Sequence, residues 1–296
     1  MTTEPLSPAI KTAGVPPWPH DHADIDGTDL HWIDHGPLGE QREPLVLMLI
    51  HGAQGNWSHW RANVDELAKS YRVVVPDMPG FGRSGPLENA DLSKLASSMS
   101  KLIDKLHLRR IALVGYSFGS LVASTLAGTR SDTIEKMLII NPMGWQERSA
   151  ETIDLQIKAS IRGKEAGLRA GIEFTLREIM LGNHQYVTER CIDESEFAVR
   201  SFRLNTKEMS RTSNLLELLG AVQVPWHVVF GAEDAYHRNW LEERAAKLAA
   251  ISASAETTII QKARHWAQQD QPQVINQLIK QFAKLEGVAS TLPLRT

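Results

Sequence analysis

Six short, strongly apolar runs constrain this chain more than any other feature: PLVLMLI (44–50), YRVVVP (71–76), RIALVGY (110–116), KMLIIN (136–141), PWHVVFG (225–231) and ETTII (256–260). Each has strand length, and most are apolar at successive rather than alternate residues, the pattern of a strand covered on both faces. Between them lie stretches of helical character, near 57–70, 92–106, 118–129, 239–251 and 271–285. Strands alternating with helices predict an α/β fold, a mostly parallel sheet flanked by helices.

Two segments break the rhythm. ADIDGTDLHWIDHG (23–36) holds two short β-like runs around Asp26-Gly27, a hairpin signal, so the sheet is expected to begin antiparallel. From about 143 to 221 the chain is helical and charged with no buried-strand run, as a helical cap inserted into the sheet domain would be. The predicted organisation is a flexible Pro-rich arm over 1–22, a core over 23–142 and 222–296, and a cap (lid) over 143–221.

Ser117 stands in VGYSFGS (114–120), at the end of one apolar run and the start of a helical one. A serine hydroxyl is a weak nucleophile at neutral pH; it needs a base and donors for the oxyanion it creates. Gly115 and Gly119 permit the sharp strand-to-helix turn that thrusts such a side chain out at the strand's carboxyl end. A tight turn built from small residues would also explain a lone G-x-S-x-G, so partners decide. Open α/β sheets place them at the carboxyl ends of other strands. VVFGAEDAYH offers Glu233 and Asp234 after one run, and QKARHWAQQDQP places His265 after the last. The order Ser, acid, His suits this scaffold: His265 as general base on Ser117, and Asp234, with Glu233 the other choice, holding the second ring nitrogen. LMLIHGAQGNW supplies His51-Gly52 after the first central strand, which assigns the oxyanion donors to the backbone amides of Ala53 and Phe118 and makes His51 a loop-bracing residue.

These motifs, together with DMPGFGRS (77–84), GAED and RHW in their order, resemble the α/β-hydrolase superfamily from about 23 to 285. The resemblance implies an eight-stranded, mostly parallel sheet with the cap inserted after strand six, and a hydrolase. Epoxide hydrolases and haloalkane dehalogenases of this fold use a carboxylate nucleophile; Ser117 instead favours attack on an acyl carbon, of an ester, lactone, thioester or amide, or on the ketone carbon of a vinylogous diketone, as in an esterase or a carbon–carbon bond hydrolase. Within the superfamily the chain is similar to the meta-cleavage-product hydrolases, which break a carbon–carbon bond after ring fission. That similarity implies substrate-binding roles for Arg200, as a carboxylate clamp from the cap, and for Trp266; Tyr116 stands where that group carries asparagine. Trp145 is a further candidate for the acyl pocket, whose walls should include part of the cap's apolar set Ile172, Phe174, Leu176, Ile179 and Met180. The same fold also supports cofactor-free oxygenation, elimination or cyclisation with the His–Asp pair as base, and ligand-binding receptors, which remain the alternatives.

Composition narrows the remaining choices. Among 296 residues, 32 basic against 35 acidic side chains leave a net charge of −3, with no basic footprint for nucleic acid or an anionic membrane. Cys191 stands alone, so no disulfide forms within the chain, and the N-terminal residues lack a signal peptide's pattern; both predict a cytoplasmic protein. No apolar run reaches bilayer length. His20, His22 and the neighbouring acids fit neither a calcium loop nor a zinc pattern, and PGFGRSG lacks the Lys-Ser/Thr of a phosphate loop. The expectation is no metal, no cofactor, and a small-molecule substrate as partner, with a homodimer left open.

Overall fold

A computed structural model describes residues 7–37, 44–145, 147, 150–252 and 255–284. Its eight strands are β1 (His20–Ile25), β2 (Thr28–His35), β3 (Val46–Ile50), β4 (Arg72–Pro76), β5 (Ile111–Tyr116), β6 (Ile134–Ile140), β7 (Trp226–Gly231) and β8 (Glu256–Ile260). They form one sheet in the order β1-β2-β4-β3-β5-β6-β7-β8. The β1–β2 and β2–β4 pairs are antiparallel and all others parallel, as the hairpin signal and the double-faced apolar runs require. Asp26 and Gly27 both have positive φ, 53° and 79°, the two-residue turn whose twist matches a hairpin.

Alternate residues of the central strand feed opposite cores. Ile111 and Leu113 of β5 meet α3 (Leu92–Lys105) and α4 (Phe118–Ala127) on one face; Ala112, Val114 and Tyr116 belong to the core on the other, with α2 (Arg61–Ala68) and α12 (Pro272–Lys284). Burial of Ile275, Leu278, Ile279 and Phe282 anchors α12; each such side chain contributes roughly 1.5–3 kcal/mol. The final helices, α11 (Ala267–Asp270) and α12, thus hold the loop that carries His265 against the sheet.

Between β6 and β7 the described residues form the α-helices α5 (Ala150–Ala166), α6 (Leu168–Thr175), α7 (Glu189–Ser201), α8 (Thr206–Thr212) and α9 (Leu215–Gly220), with a π-helical turn over Leu176–Met180 and a 3-10 turn over His184–Tyr186. α5 and α6 close on each other at Gly163 and Gly171, where a Cβ on Gly171 would stand 2.9 Å from the Gly163 Cα. Ile172, Leu176 and Ile179 are buried, and the first two join the core that includes Trp266.

The stretch expected to be a flexible arm differs from that expectation over residues 7–19. Ser7 caps a short helix, α1 (Pro8–Ala13), which packs on α7 with Gly14 against the Phe197 ring. Trp18 then donates to Asp65 at 2.5 Å, and the Trp57 indole donates to the Gly14 carbonyl at 3.2 Å. The reason is anchorage: Ile10 and Trp18 are buried apolar residues in a segment with no periodicity to reveal them. Residues 1–6 lie outside the described residues.

Candidate active site

β5 delivers Ser117 into a strained turn. Its φ of 52° and ψ of −120° are rare for a residue with a side chain, and such strain persists only where the surroundings over-determine it. Gly115 and Gly119 make the turn possible: a Cβ on Gly115 would stand 2.8 Å from the Ala123 Cβ, and one on Gly119 would run into the His51 carbonyl. The Ser117 amide donates to the Ile140 carbonyl of β6 at 2.9 Å.

The three side chains separated in sequence converge. Ser117 Oγ lies 2.9 Å from His265 Nε2, and His265 Nδ1 lies 2.7 Å from Asp234 Oδ2. Asp234 Oδ1 accepts the Tyr236 amide at 2.8 Å. Burial opposes ionisation of Asp234, but the adjoining His265 and His237, with the Tyr236 amide, hold its carboxyl below the ordinary value. Asp234 rather than Glu233 therefore meets the histidine. Both imidazole nitrogens of His265 are engaged, one by the acid and one by the hydroxyl, the arrangement needed for proton transfer.

Gly52 places the loop after β3, expected to hold the oxyanion: a Cβ there would lie 3.1 Å from both the Ser117 Cβ and the Tyr116 ring, so the backbone passes directly beside Ser117. Among the described residues no hydrogen bond takes the amide of Ala53 or Phe118. His51 braces this loop as expected, with Nδ1 at 2.8 Å from the Gly52 carbonyl and Nε2 accepting the Met78 amide at 3.0 Å. His59 is a second brace that sequence reasoning missed: its Nδ1 accepts the Gly52 amide at 3.2 Å, and burial pushes its pKa well down, which keeps that nitrogen an acceptor. Asp77 explains the DMPGFGRS motif. It is fully buried and accepts the amides of Trp57 at 2.7 Å and Arg83 at 2.9 Å, folding the loop after β4 onto the oxyanion loop.

Asn141 was also missed. At φ 44° it ends β6, accepts the Gly231 amide at 2.8 Å, and donates to the carbonyls of Arg264 at 3.1 Å and His265 at 2.7 Å. One amide side chain thereby pins the ends of β7 and the histidine loop together. An asparagine after an apolar run, able to adopt positive φ, was the available signal.

The four residues expected to bind substrate fare differently. Arg200 is engaged by the buried Glu196, which Arg169 also approaches at 3.2 Å. Trp266 is buried and donates to the His59 carbonyl at 2.9 Å, and Tyr116 is a core residue whose ring lies 5.4 Å from that of His265. Trp145 packs its ring 4.7 Å from the Arg244 guanidinium. Arg200 and Trp266 thus have polar partners within the chain, whereas the buried Tyr116 hydroxyl has no hydrogen-bond partner among the described residues. Tyr236 lies against the His265 imidazole, at 4.6 Å between ring centroids, its hydroxyl accepting from Gln156 of α5 at 2.8 Å. Thr152 of α5 donates to the Ala235 carbonyl at 2.6 Å, so the cap reads directly on the acid loop.

Ser117 and His265 are both buried, 6% and 5% exposed. A cavity of about 100 Å³ opens at the cap–core seam, bounded by Arg61, Tyr186, Cys191, Glu194 and Trp266. Ser117 does not line it, and the hydrogen-bonded chain, not this cavity, locates the site. Among the described residues one trio could hold a cation, Asp234, His237 and His265, with ligand atoms within 4.8 Å of one another.

This sheet order, the strained serine after β5 and the acid and histidine after β7 and β8 define an α/β-hydrolase enzyme. The model of the alpha/beta hydrolase family matches residues 47–278, and the chain belongs to that family. It is 23% identical over 299 residues to Epoxide hydrolase 2 of Caenorhabditis elegans, covering 90% of this chain and 80% of that one. Among solved structures, a bromoperoxidase from Bacillus anthracis superposes with a TM-score of 0.73 at 20% identity, covering 90% of this chain and 100% of that one. The enol-lactonase from Burkholderia xenovorans LB400 superposes with a TM-score of 0.68 at 20% identity, covering 88% and 99%. These structural likenesses concern the fold. Among the described residues no helix is long and apolar enough to cross a membrane.

Proposed function

We propose that this chain hydrolyses small, fairly apolar esters or lactones through Ser117, His265 and Asp234. The observation that carries the reading is the continuous chain from Ser117 Oγ to His265 Nε2 at 2.9 Å and from His265 Nδ1 to Asp234 Oδ2 at 2.7 Å. As Oγ adds to the acyl carbon, His265 takes its proton and Asp234 stabilises the imidazolium; the oxyanion meets the amides of Ala53 and Phe118. His265 then protonates the leaving alcohol, the acyl-serine forms, and water activated by the same imidazole releases the acid. Metal or cofactor has no step in this sequence. The relative named an epoxide hydrolase shares family membership, but epoxide opening through an enzyme ester needs a carboxylate at the elbow, and Ser117 stands there.

Carbon–carbon hydrolysis of a ring-fission dienoate is the competing reading, and it needs a cation for the substrate carboxylate. The engagement of Arg200 by Glu196 supports the ester reading over it. The test compares kcat/KM on a short p-nitrophenyl ester and on a ring-fission dienoate. Ester preference is expected, with kcat falling roughly 10³- to 10⁶-fold in Ser117→Ala and in His265→Ala, as for groups that act as a unit. Dienoate preference would transfer the assignment to carbon–carbon cleavage, and normal turnover in either variant would remove the triad. A product lacking oxygen from labelled water would indicate the non-hydrolytic use of the His–Asp base.

A further inference from the structure

A buried cation behind the triad acid has no part in the chemistry above. Arg244, on α10 (Leu241–Ile251), is 1% exposed, and among the described residues its guanidinium forms no ion pair with a carboxylate. It donates to the Tyr236 carbonyl at 2.7 Å, reaches the Glu147 carbonyl at 3.5 Å, and donates to Nδ1 of His237. The rings of Trp145 and Trp240 flank it at 4.7 and 4.9 Å. A buried charge held only by carbonyls, an imidazole and two aromatic rings is costly to keep, so its placement calls for a reason.

The reason lies in what a guanidinium can do. It has donors and no acceptor, so the nitrogen it points at must carry a lone pair. His237 Nδ1 is therefore unprotonated, and the ring's single proton sits on Nε2. Burial pushes the His237 pKa down to about 3, with the adjoining Arg244 acting in the same direction, so the ring stays neutral. Its Nε2 lies 3.6 Å from Asp234 Oδ2, the same oxygen that receives His265 Nδ1. The two imidazoles are nearly parallel, 24° apart in plane with centroids 6.3 Å apart. With the other tautomer, a lone pair would face the carboxylate and repel it.

We infer that His237 is a positioning residue for the triad acid, locked by Arg244 as the Nε2–H tautomer so that its N–H holds the Asp234 carboxylate aimed at His265. This rests on the reading of Asp234 and His265 as the acid and base of hydrolysis. At 3.6 Å the N–H acts as a dipole beside the charge and not as a full hydrogen bond. Because both imidazoles address the same oxygen, Oδ2 is most favourably placed where it faces the two N–H groups together, and a rotation that leaves His265 also leaves His237. Arg244 acts through His237 and also offsets the acid's charge within the buried cluster.

Two measurements test this. The first uses Ser117→Ala protein and no substrate: imidazole ¹⁵N shifts, with the His237 signals identified by their loss in the His237→Gln variant. A neutral Nε2–H ring from about pH 5 to 8 is expected; the Nδ1–H tautomer or an imidazolium in that range overturns the inference. The second is steady-state turnover of the ester. His237→Leu and Arg244→Met should each lower kcat about 10-fold with KM within about twofold, the scale of one charge-assisted contact. His237→Gln, which keeps an acceptor for Arg244 and a donor for Asp234, should regain most of that loss. Unchanged kcat in His237→Leu, or no recovery with glutamine, overturns it. Should wild-type protein show no Ser117-dependent turnover, the hydrolytic reading falls while the tautomer measurement still decides this one, and it needs no variant at Arg244 to fold.

Discussion

Replacing Asn141 with alanine removes three buried hydrogen bonds at once, to the Gly231 amide and to the Arg264 and His265 carbonyls. Each is worth about 1 kcal/mol net, and a fully buried site offers little water to replace them, so a loss of about 3 kcal/mol is expected. Alanine is also less at ease than asparagine at φ 44°, which adds to the loss. For a chain of this size about 3 kcal/mol corresponds to a fall in Tm of roughly 5 °C. The same change frees the backbone of His265, so kcat on the ester should fall while KM changes little. Circular dichroism melts and steady-state kinetics on the same preparation measure both. Asn141→Asp keeps the shape and the acceptor but points a carboxylate at two carbonyls, and should restore neither property. A Tm loss under about 2 °C with unchanged kcat, or an aspartate variant as good as the parent, would refute the claim that this side chain pins the two loops.

Other consequences follow from the same contacts. Arg61 of the core pairs with the buried Glu194 of the cap and lies 4.6 Å over the Trp57 ring; Arg61→Met should therefore destabilise the protein by about 1–2 kcal/mol, because the buried Glu194 is left with Arg190 as its one remaining cation, and a urea midpoint equal to the parent's would contradict it. His51, His59, His227 and His237 all have pKa values lowered by burial, to about 4 for His227 and about 3 for His237. The unfolded chain binds those protons first, so stability is complete above about pH 6.5 and lost as pH falls from there towards the folded values, by up to about 1.4 kcal/mol per pH unit for each ring. Urea midpoints at neutral and mildly acid pH read this directly; a flat profile between them would show that the rings are not held neutral. Gly119→Ala sets a methyl against the His51 carbonyl, and should slow fluorophosphonate labelling of Ser117 at least 10-fold by pushing α4 from the strand end; labelling at the parent rate would show that the turn can absorb the methyl.

Much of the architecture was legible in the one-dimensional pattern because its causes are local. A strand buried on both faces must be apolar at successive residues, so β3 to β7 announced themselves, and Asp26-Gly27 encodes its turn in the φ values those two residues tolerate. Gly115, Ser117 and Gly119 likewise carry the elbow's geometry in their own backbone preferences, and the order of strand ends put Asp234 and His265 on the right loops. The choice of Asp234 over Glu233 was settled only by space, since two adjacent acids share every local property and differ in which one points at the imidazole.

What only the tertiary structure decided are the contacts between residues far apart in the chain. Asn141, His59 and Asp77 act through polar side-chain atoms satisfied by loops 20 to 124 residues away or by a neighbouring turn, and no periodicity records such a bond. Arg200 is a related case: its place on a cap helix suggested a substrate clamp, and only the packing shows that Glu196, one helical turn back and buried, pairs with it. The ordered strap over residues 7–19 escaped notice because its anchors, Ile10 and Trp18, are isolated apolar residues whose partners lie on α7 and α2. Local sequence determined which elements form and where the reactive serine stands. Packing determined which buried polar groups meet, because a desolvated donor or acceptor must find its partner wherever in the chain that partner lies.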